Sequence, residues 1–314
     1  MTRLAFLIGA VLAASFAWAQ PALMRIVVPF PPGGSNDVIA RAMAPQLAKR
    51  LGTNVIVENK GGAAGVIGSD AVAKAAPDGS YLLLTSSTFL TTAATQAKLP
   101  YDPLAAFIPV AMVAEGPLLV AVPAERPIKS TADLVAAARA KPGALNYGTA
   151  GVGSLAHLAT ELLNGAANIQ MTHVPYKGAG PALIDLAAGQ IDVMVSNYST
   201  LVSQMKSGKV RAIAVTSPKP SAAFPDLPPV AAAVPGYAMD IWVTVFAPAG
   251  TPAQLIERLN REINAISASP ELRVFLEPDG AQPVGLAPAA VAVRMKDDLA
   301  QLRRIAADRK ISLD

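Results

Sequence analysis

"PFPPGGSNDVIAR", residues 29–41, joins a β-rich apolar run to a helix-like pattern through two prolines, two glycines and three small polar residues. A strand ending near Phe30 must turn there. Gly33 and Gly34 can take backbone angles closed to other residues, and they let a ligand approach the chain closely. A helix then begins at Ser35, Asn36 or Asp37. Its first-turn amides lack intrahelical acceptors and carry partial positive charge, so the junction is a ready anion site. A plain strand-to-helix turn is the competing reading of this loop taken alone.

A second junction repeats the device. "LNYGTAGVGSLAHLATELL", residues 145–163, runs strand, then Gly148, Thr149, Gly151, Gly153 and Ser154, then helix. Two helix N-termini facing one cleft suit a ligand with two carboxylates, or with one carboxylate and a polar tail. The run 151–156 also matches a loose dinucleotide-binding form, but the acidic residue that form requires about 20 positions on is missing from "MTHVPYK". The dinucleotide reading is therefore the weaker one, and no cofactor is expected.

Outward from these loops, strand-like and helix-like segments alternate. Strands are expected over 26–29, 55–57, 81–85, 118–122, 145–147, 191–195 and 210–215, and helices over 37–51, 132–140, 155–164, 181–188 and 201–207. Such alternation implies an α/β fold with largely parallel sheets. Thr251 reads as the N-cap of a further helix, Ser269-Pro270 restarts another, and Pro181 and Gly189 bracket a third. Pro45 falls inside the 37–51 pattern, where it should kink or divide the helix.

Segment 216–237 holds six prolines (Pro218, Pro220, Pro225, Pro228, Pro229, Pro235) and reads as a surface crossing. With residues 118–127 it makes two passages between domains. The expected layout is a discontinuous first domain, 20–122 plus 232–314, with an inserted second domain, 123–231, which suits a hinged cleft.

The first twenty residues form their own unit. Arg3, the apolar run 4–16 and Ala17-Trp18-Ala19 have the form of a secretory signal cleaved after residue 19, too short for the roughly 20 residues of a spanning helix. The mature protein is expected in the periplasm. A formal net charge of +4, with no basic block, argues against a nucleic-acid partner. The absence of cysteine removes disulfides, thiolate metal sites and a cysteine nucleophile. Two histidines, His157 and His173, lack metal-ligand spacing, so no metal site is expected.

Other polar residues are candidates for the cleft. Ser86, Ser87 and Thr88 end a buried strand and can donate hydroxyl hydrogen bonds or merely cap it. Tyr176 precedes a glycine turn, His157 lies one turn into its helix, and Asn197 follows the strand ending at 195.

The stretches "PFPPGGSNDVIAR", "VENKGGAAGVIGSDAVAKAAPDG", "LNYGTAGVGSLAHL", "VPYKGAGPALIDLAAGQIDVM", "GKVRAIAVTS" and "FAPAGTPAQLIERLNREI" resemble the tripartite tricarboxylate transporter substrate-binding proteins, the TctC or Bug family. The resemblance spans nearly the whole mature chain in order. It implies a type II periplasmic binding fold, two α/β domains closing on a small carboxylate, with delivery to membrane transporter subunits. Ligand contacts implied by the family fall on the 33–37 loop, 86–88 and the 149–154 loop; Phe30, where the first strand ends, is a further candidate. Two departures stand out. Asn36 replaces the usual Thr of the first loop, and Val195-Ser196-Asn197 replaces a frequent Phe-Asp-Asn, which removes an acceptor for a ligand amine.

An enzyme would need an activated nucleophile, and the chain has no G-x-S-x-G elbow. No catalytic residue is expected. A periplasmic sensor presenting its closed form to a receptor would use the same cleft; the expected working unit is a monomer.

Overall fold

The computed structural model describes residues 23–312, so the signal-peptide expectation for residues 1–19 lies outside the described residues. Two five-stranded sheets form the frame. The first has the order β2-β1-β3-β10-β4, from Asn54–Asn59, Leu23–Val28, Tyr81–Ser86, Asp240–Pro248 and Phe107–Pro117. The second has the order β7-β6-β8-β5-β9, from Thr172–Pro175, Asn146–Thr149, Val193–Ser196, Leu119–Pro123 and Val210–Val215.

Both sheets are mixed rather than largely parallel. In each, three strands pair in parallel and a reversed strand, β10 or β5, separates them from the fifth. The alternation of patterns signals βα units correctly, but β4, β7 and β10 lie outside the expected strands, and β10 runs against both of its neighbours. β4 passes straight into β5 with no helix between them, and β10 pairs with strands far away in the chain, so alternation could not reveal them.

The chain passes from β4 to β5 through the single residue Leu118, and 119–123 pair in the second sheet. It returns through 216–239. The two passages are stitched together: Thr216 Oγ1 accepts the Leu118 N–H at 2.8 Å, and Thr216 N–H donates to the Leu118 carbonyl at 2.9 Å.

This connectivity decides how the sheets face. β4 runs in the direction of β1 and β3 and ends beside their carboxyl ends; β5 starts opposite Ser196, where β8 ends. The carboxyl edges of the two sheets therefore meet at Leu118. Four helices start from those edges: α1 (Ser35–Leu51) after β1, α3 (Thr88–Thr95) after β3, α5 (Leu155–Ala166) after β6 and α7 (Tyr198–Lys206) after β8. In open α/β sheets this is where ligands bind, outside the carboxyl ends of the strands.

Helix formation follows the apolar spacing. In α1, Ile39, Ala40, Met43, Leu47 and Leu51 are buried on one face. The helix runs unbroken through Pro45, whose ring sits on the exposed side, where water can take the carbonyl left without a donor. α2 (Val66–Ala73) backs the first loop, and α4 (Thr131–Ala140) covers the second sheet. α6 (Ala179–Ala187) starts two residues before Pro181, capped by Gly178 at φ +112°, and Gly189 closes it at φ +72°. α8 (Ala253–Ser267) buries Ile256, Leu259, Ile263 and Ile266. Thr251 does not cap it. That buried hydroxyl donates to the Pro248 carbonyl at 2.7 Å, and the Pro252 carbonyl receives the first helical amides. Ser269 does cap α9 (Pro270–Leu276), accepting the Leu272 N–H. α10 (Pro288–Asp308) packs on α3 and β4 beside the first sheet and on α5 beside the second.

Where α2 meets the first loop the backbones nearly touch. A Cβ on Gly68 would lie 2.5 Å from the Lys60 carbonyl oxygen and 2.9 Å from Pro29 Cα, both rigid backbone. Gly68→Ala is therefore expected to lower unfolding free energy by about 1–3 kcal/mol through overpacking. Urea unfolding of the two proteins measures it; equal midpoints would mean that α2 can slide away freely.

Candidate functional site

The first loop is locked by one carboxylate. Gly33 turns the chain at φ +89°, and its N–H donates to Asp37 Oδ2 at 2.9 Å. Arg41 Nε reaches the same oxygen at 3.0 Å, and Asn59 Nδ2 reaches Asp37 Oδ1 at 2.9 Å. Asn59 also donates to the Phe30 carbonyl at 3.2 Å, and Arg41 donates to Asn59 Oδ1 at 2.8 Å. The Arg41 guanidinium, opposed only in part by burial, and then the donors from Gly33 and Asn59, hold the Asp37 carboxyl down at about 2. Both oxygens of Asp37 are engaged, so its part here is to shape the loop. That leaves the first-turn amides, with exposed Ser35 and nearly buried Asn36, to face a ligand.

At the end of β3, Ser87 is committed to β10. Its hydroxyl accepts the Trp242 N–H at 2.9 Å and its own N–H donates to the Trp242 carbonyl at 3.1 Å. Ser86 Oγ donates to Thr88 Oγ1 at 3.3 Å, and Thr88 opens α3.

The loop before α5 is held from below by side chains of its own unit. Ser154 caps the helix by accepting the His157 N–H at 3.3 Å and donates to the Gly151 carbonyl at 2.8 Å. His157 Nδ1 accepts the Gly153 N–H at 3.2 Å, which requires that nitrogen to be unprotonated. Thr149 Oγ1 is hydrogen-bonded to His173 Nε2 at 2.7 Å and accepts the Gly151 N–H at 3.2 Å. The two histidines, sixteen residues apart in the chain, stack with ring centroids 3.8 Å apart, and Tyr147 stacks on His173. Burial lowers the titration of His157; burial and then the charge of His157 lower that of His173 to about 4. Tyr147 donates to buried Glu161 at 2.6 Å, and Arg309, just beyond α10, pairs with the other oxygen of Glu161.

Of the remaining candidates, Tyr176 donates to Asp185 at 2.6 Å and stands behind Gly148. Asn197 precedes the first residue of α7 and makes no side-chain capping bond. The fold thus brings the two glycine loops, the 86–88 strand end and Asn197 to the facing sheet edges. Asp37, Ser87, Thr149, Ser154, His157 and Tyr176 spend their side-chain groups on the protein itself. Sequence reasoning missed Asn59, Arg41, His173 and Glu161 as organisers. Only Asp37–Arg41, an i,i+4 pair of opposite charge, carried a local signal.

A cavity of about 790 Å³ opens beside the two passages, lined by Glu115, Gly116, Leu155, Ser217, Asp240 and Trp242 among others. Ser87 alone of the expected residues reaches it. Its charged lining combines Glu115, Asp240 and Asp298 with Arg294 and Lys219, and burial followed by the charge of Glu115 pushes Asp240 up to about 7.

Two-domain periplasmic solute-binding proteins share this fold. R. palustris Rpa4515, solved with adipate, superposes with a TM-score of 0.80 at 34% identity, covering 93% of this chain and 99% of its own. MatC (Rpa3494) from Rhodopseudomonas palustris, with bound malate, gives 0.76 at 31% identity, covering 91% and 99%. BugT of Bordetella pertussis is 37% identical over 294 residues, 90% of each chain. The model of the tripartite tricarboxylate transporter family receptor matches residues 39–311, and the chain belongs to that family. Its members are periplasmic receptors of tripartite transporters. Among the described residues no helix is long and apolar enough to cross a membrane.

The site's own groups give the fold a defined acid response. A histidine near 6.5 in the unfolded chain but near 4 in the fold binds its proton only on unfolding, so stability falls as pH drops from 6.5 towards 4. Asp37, usually 3.8 and here about 2, contributes stability above 4 that is lost as pH falls towards 2. Asp240, raised to about 7, gains stability over the same window and works the other way, so the histidine effect is read as a difference: as pH falls from 6.5 to 4, the melting temperature of His173→Gln is expected to rise relative to that of wild type. Equal slopes would mean that the stacked pair titrates normally.

Proposed function

We propose that this chain captures a small di- or tricarboxylate, or a related organic acid, between its two sheets and delivers it to the membrane subunits of a tripartite tricarboxylate-type transporter. The observation that carries this reading is the meeting of four helix N-termini at the facing carboxyl edges, with the first and third loops held open by their own side chains. One carboxylate would sit on the amides of α1, supported by Thr88, and the second polar end on the loop before α5 and on Asn197. The two units, divided at Leu118 and within 216–239, would close by contacts that the open arrangement lacks. The signal-like residues 1–19 would be removed on export to the periplasm. The likeness to proteins solved with adipate and malate supports the ligand class.

The reading is of a binding protein, not an enzyme. Both imidazoles are engaged by the protein: His157 Nδ1 accepts the Gly153 N–H, and the Thr149 hydroxyl that meets His173 Nε2 also accepts the Gly151 N–H and so serves to hold the loop. Ser196 stands where a carboxylate is frequent in the family, so the ligand is an acid without an amino group.

The test is a thermal-shift and calorimetric screen of residues 20–314 against adipate, malate, citrate, aspartate, glutamate and glucose. Carboxylates are expected to raise the melting temperature with concentration. Glucose should not, and aspartate should bind no tighter than the best dicarboxylate. A sugar response, silence across the acids, or preferred aspartate would each contradict part of the reading. Gly151→Val is expected to weaken the best acid at least about tenfold, because a branched side chain at φ +132° distorts the amides that meet the ligand. Unchanged affinity would remove that loop from the site.

A further inference from the structure

Residues 277–282, which follow α9, touch the second unit close to both passages. Gln282 exchanges backbone hydrogen bonds with Glu115, at 2.8 and 3.0 Å, two residues before β4 ends. A Cβ on Gly116 would lie 2.7 Å from Ala281 Cα, so the segment lies hard against the crossing strand. On its other side Gly280, at φ +69°, abuts the return passage, where a Cβ would stand 2.7 Å from Phe224 Cε2 and 3.2 Å from Ala223 Cβ. The Phe224 ring packs against Tyr198 with centroids 5.4 Å apart.

Between these contacts Asp279 reaches across to α7. Its Oδ1 accepts the Ser199 N–H at 2.7 Å and its Oδ2 accepts the Ser199 hydroxyl at 3.0 Å. Ser199 is the second residue of α7, so a carboxylate from beside the first sheet caps a helix of the second. A charge at a helix N-terminus is attracted by the unpaired amides and is directional, unlike apolar packing. Asn197, one residue before α7, is thereby fixed relative to the first unit.

We propose that Asp279 is a positioning residue for ligand capture: the 277–282 segment braces the hinge, and the grip of Asp279 on α7 sets the angle between the two units before any ligand binds. The tie between brace and affinity rests on the proposed carboxylate capture; the angle itself does not. Because the capping contact is open to water, its loss should change the ratio of arrangements by about fivefold, the usual scale of losing a helix cap.

The chain contains no cysteine, so two introduced cysteines can be spin-labelled without background. Lys49→Cys on α1 and Lys141→Cys after α4 are exposed and lie far along the chain from the brace. Double electron–electron resonance on the ligand-free protein is expected to give a shifted or broadened distance distribution for Asp279→Ala. Gly280→Ala, which keeps the cap but presses on Phe224, should displace the distribution as well. A lower melting temperature for Asp279→Ala with an unchanged distribution would show a simple helix cap and overturn the brace. Adipate and malate titrations form the second readout: an altered Kd in Asp279→Ala supports the coupling, and an unchanged Kd beside a moved distribution refutes it. Wild-type protein that binds neither acid would count against carboxylate capture while leaving the distance result to decide the brace.

Discussion

The Asp37 carboxylate is the constraint on which the candidate site depends. A loop of two prolines and two glycines has no inherent shape, and in the fold one buried side chain gives it three anchors. The Gly33 amide, the Arg41 guanidinium and the Asn59 amide converge on its two oxygens. These anchors come from the turn, from α1 and from β2, so strand, loop and helix become one rigid piece. The charge of Asp37 would repel a ligand carboxylate if it faced one; engaged by donors, it holds up amides that attract one. The second loop reaches the same end by other means, with a serine cap, a threonine and two stacked imidazoles holding the glycine turn from beneath.

Connectivity supplies the rest. Since β4 ends at the carboxyl edge of one sheet and β5 begins at the carboxyl edge of the other, a single linking residue makes those edges face each other. The helices α1, α3, α5 and α7 then start from those edges. Few charged side chains are needed to hold an anion there, because backbone dipoles provide the attraction. The cavity beside the passages is lined differently, with the carboxylates of Glu115, Asp240 and Asp298 beside Arg294 and Lys219.

Much of this could be read from the sequence, for definite reasons. The Gly-Gly-Ser-Asn-Asp and Gly-Thr-Ala-Gly-Val-Gly-Ser runs announce tight turns into helices, and periodicity locates α1, α5 and β9 well. The pairing of β10 between β3 and β4 was not legible, because a strand's partner is fixed by tertiary contacts and not by its own pattern. The same limit applies to side chains. Asp37, Ser87 and His157 were candidates for ligand contact from position alone, and only the fold shows that their polar groups are taken by Gly33, Trp242 and Gly153. His173 and Glu161 were passed over since their partners lie on other elements. Thr251 misled for a related reason: a hydroxyl ahead of proline resembles a cap, yet burial turned it towards Pro248.

The central claim is that backbone amides at the facing helix starts hold the ligand's carboxylates. Amide chemical-shift mapping of the deuterated, ¹⁵N-labelled protein during titration with adipate and with malate tests it most directly. The account predicts that the largest shifts fall on Ser35, Asn36, Asp37 and Thr88 and on the 151–156 segment, with smaller ones along the passages as the units close. Shifts centred instead on Asp240, Trp242 and Arg294, with the first turns of α1 and α5 unmoved, would contradict it and move the site to the cavity behind the hinge.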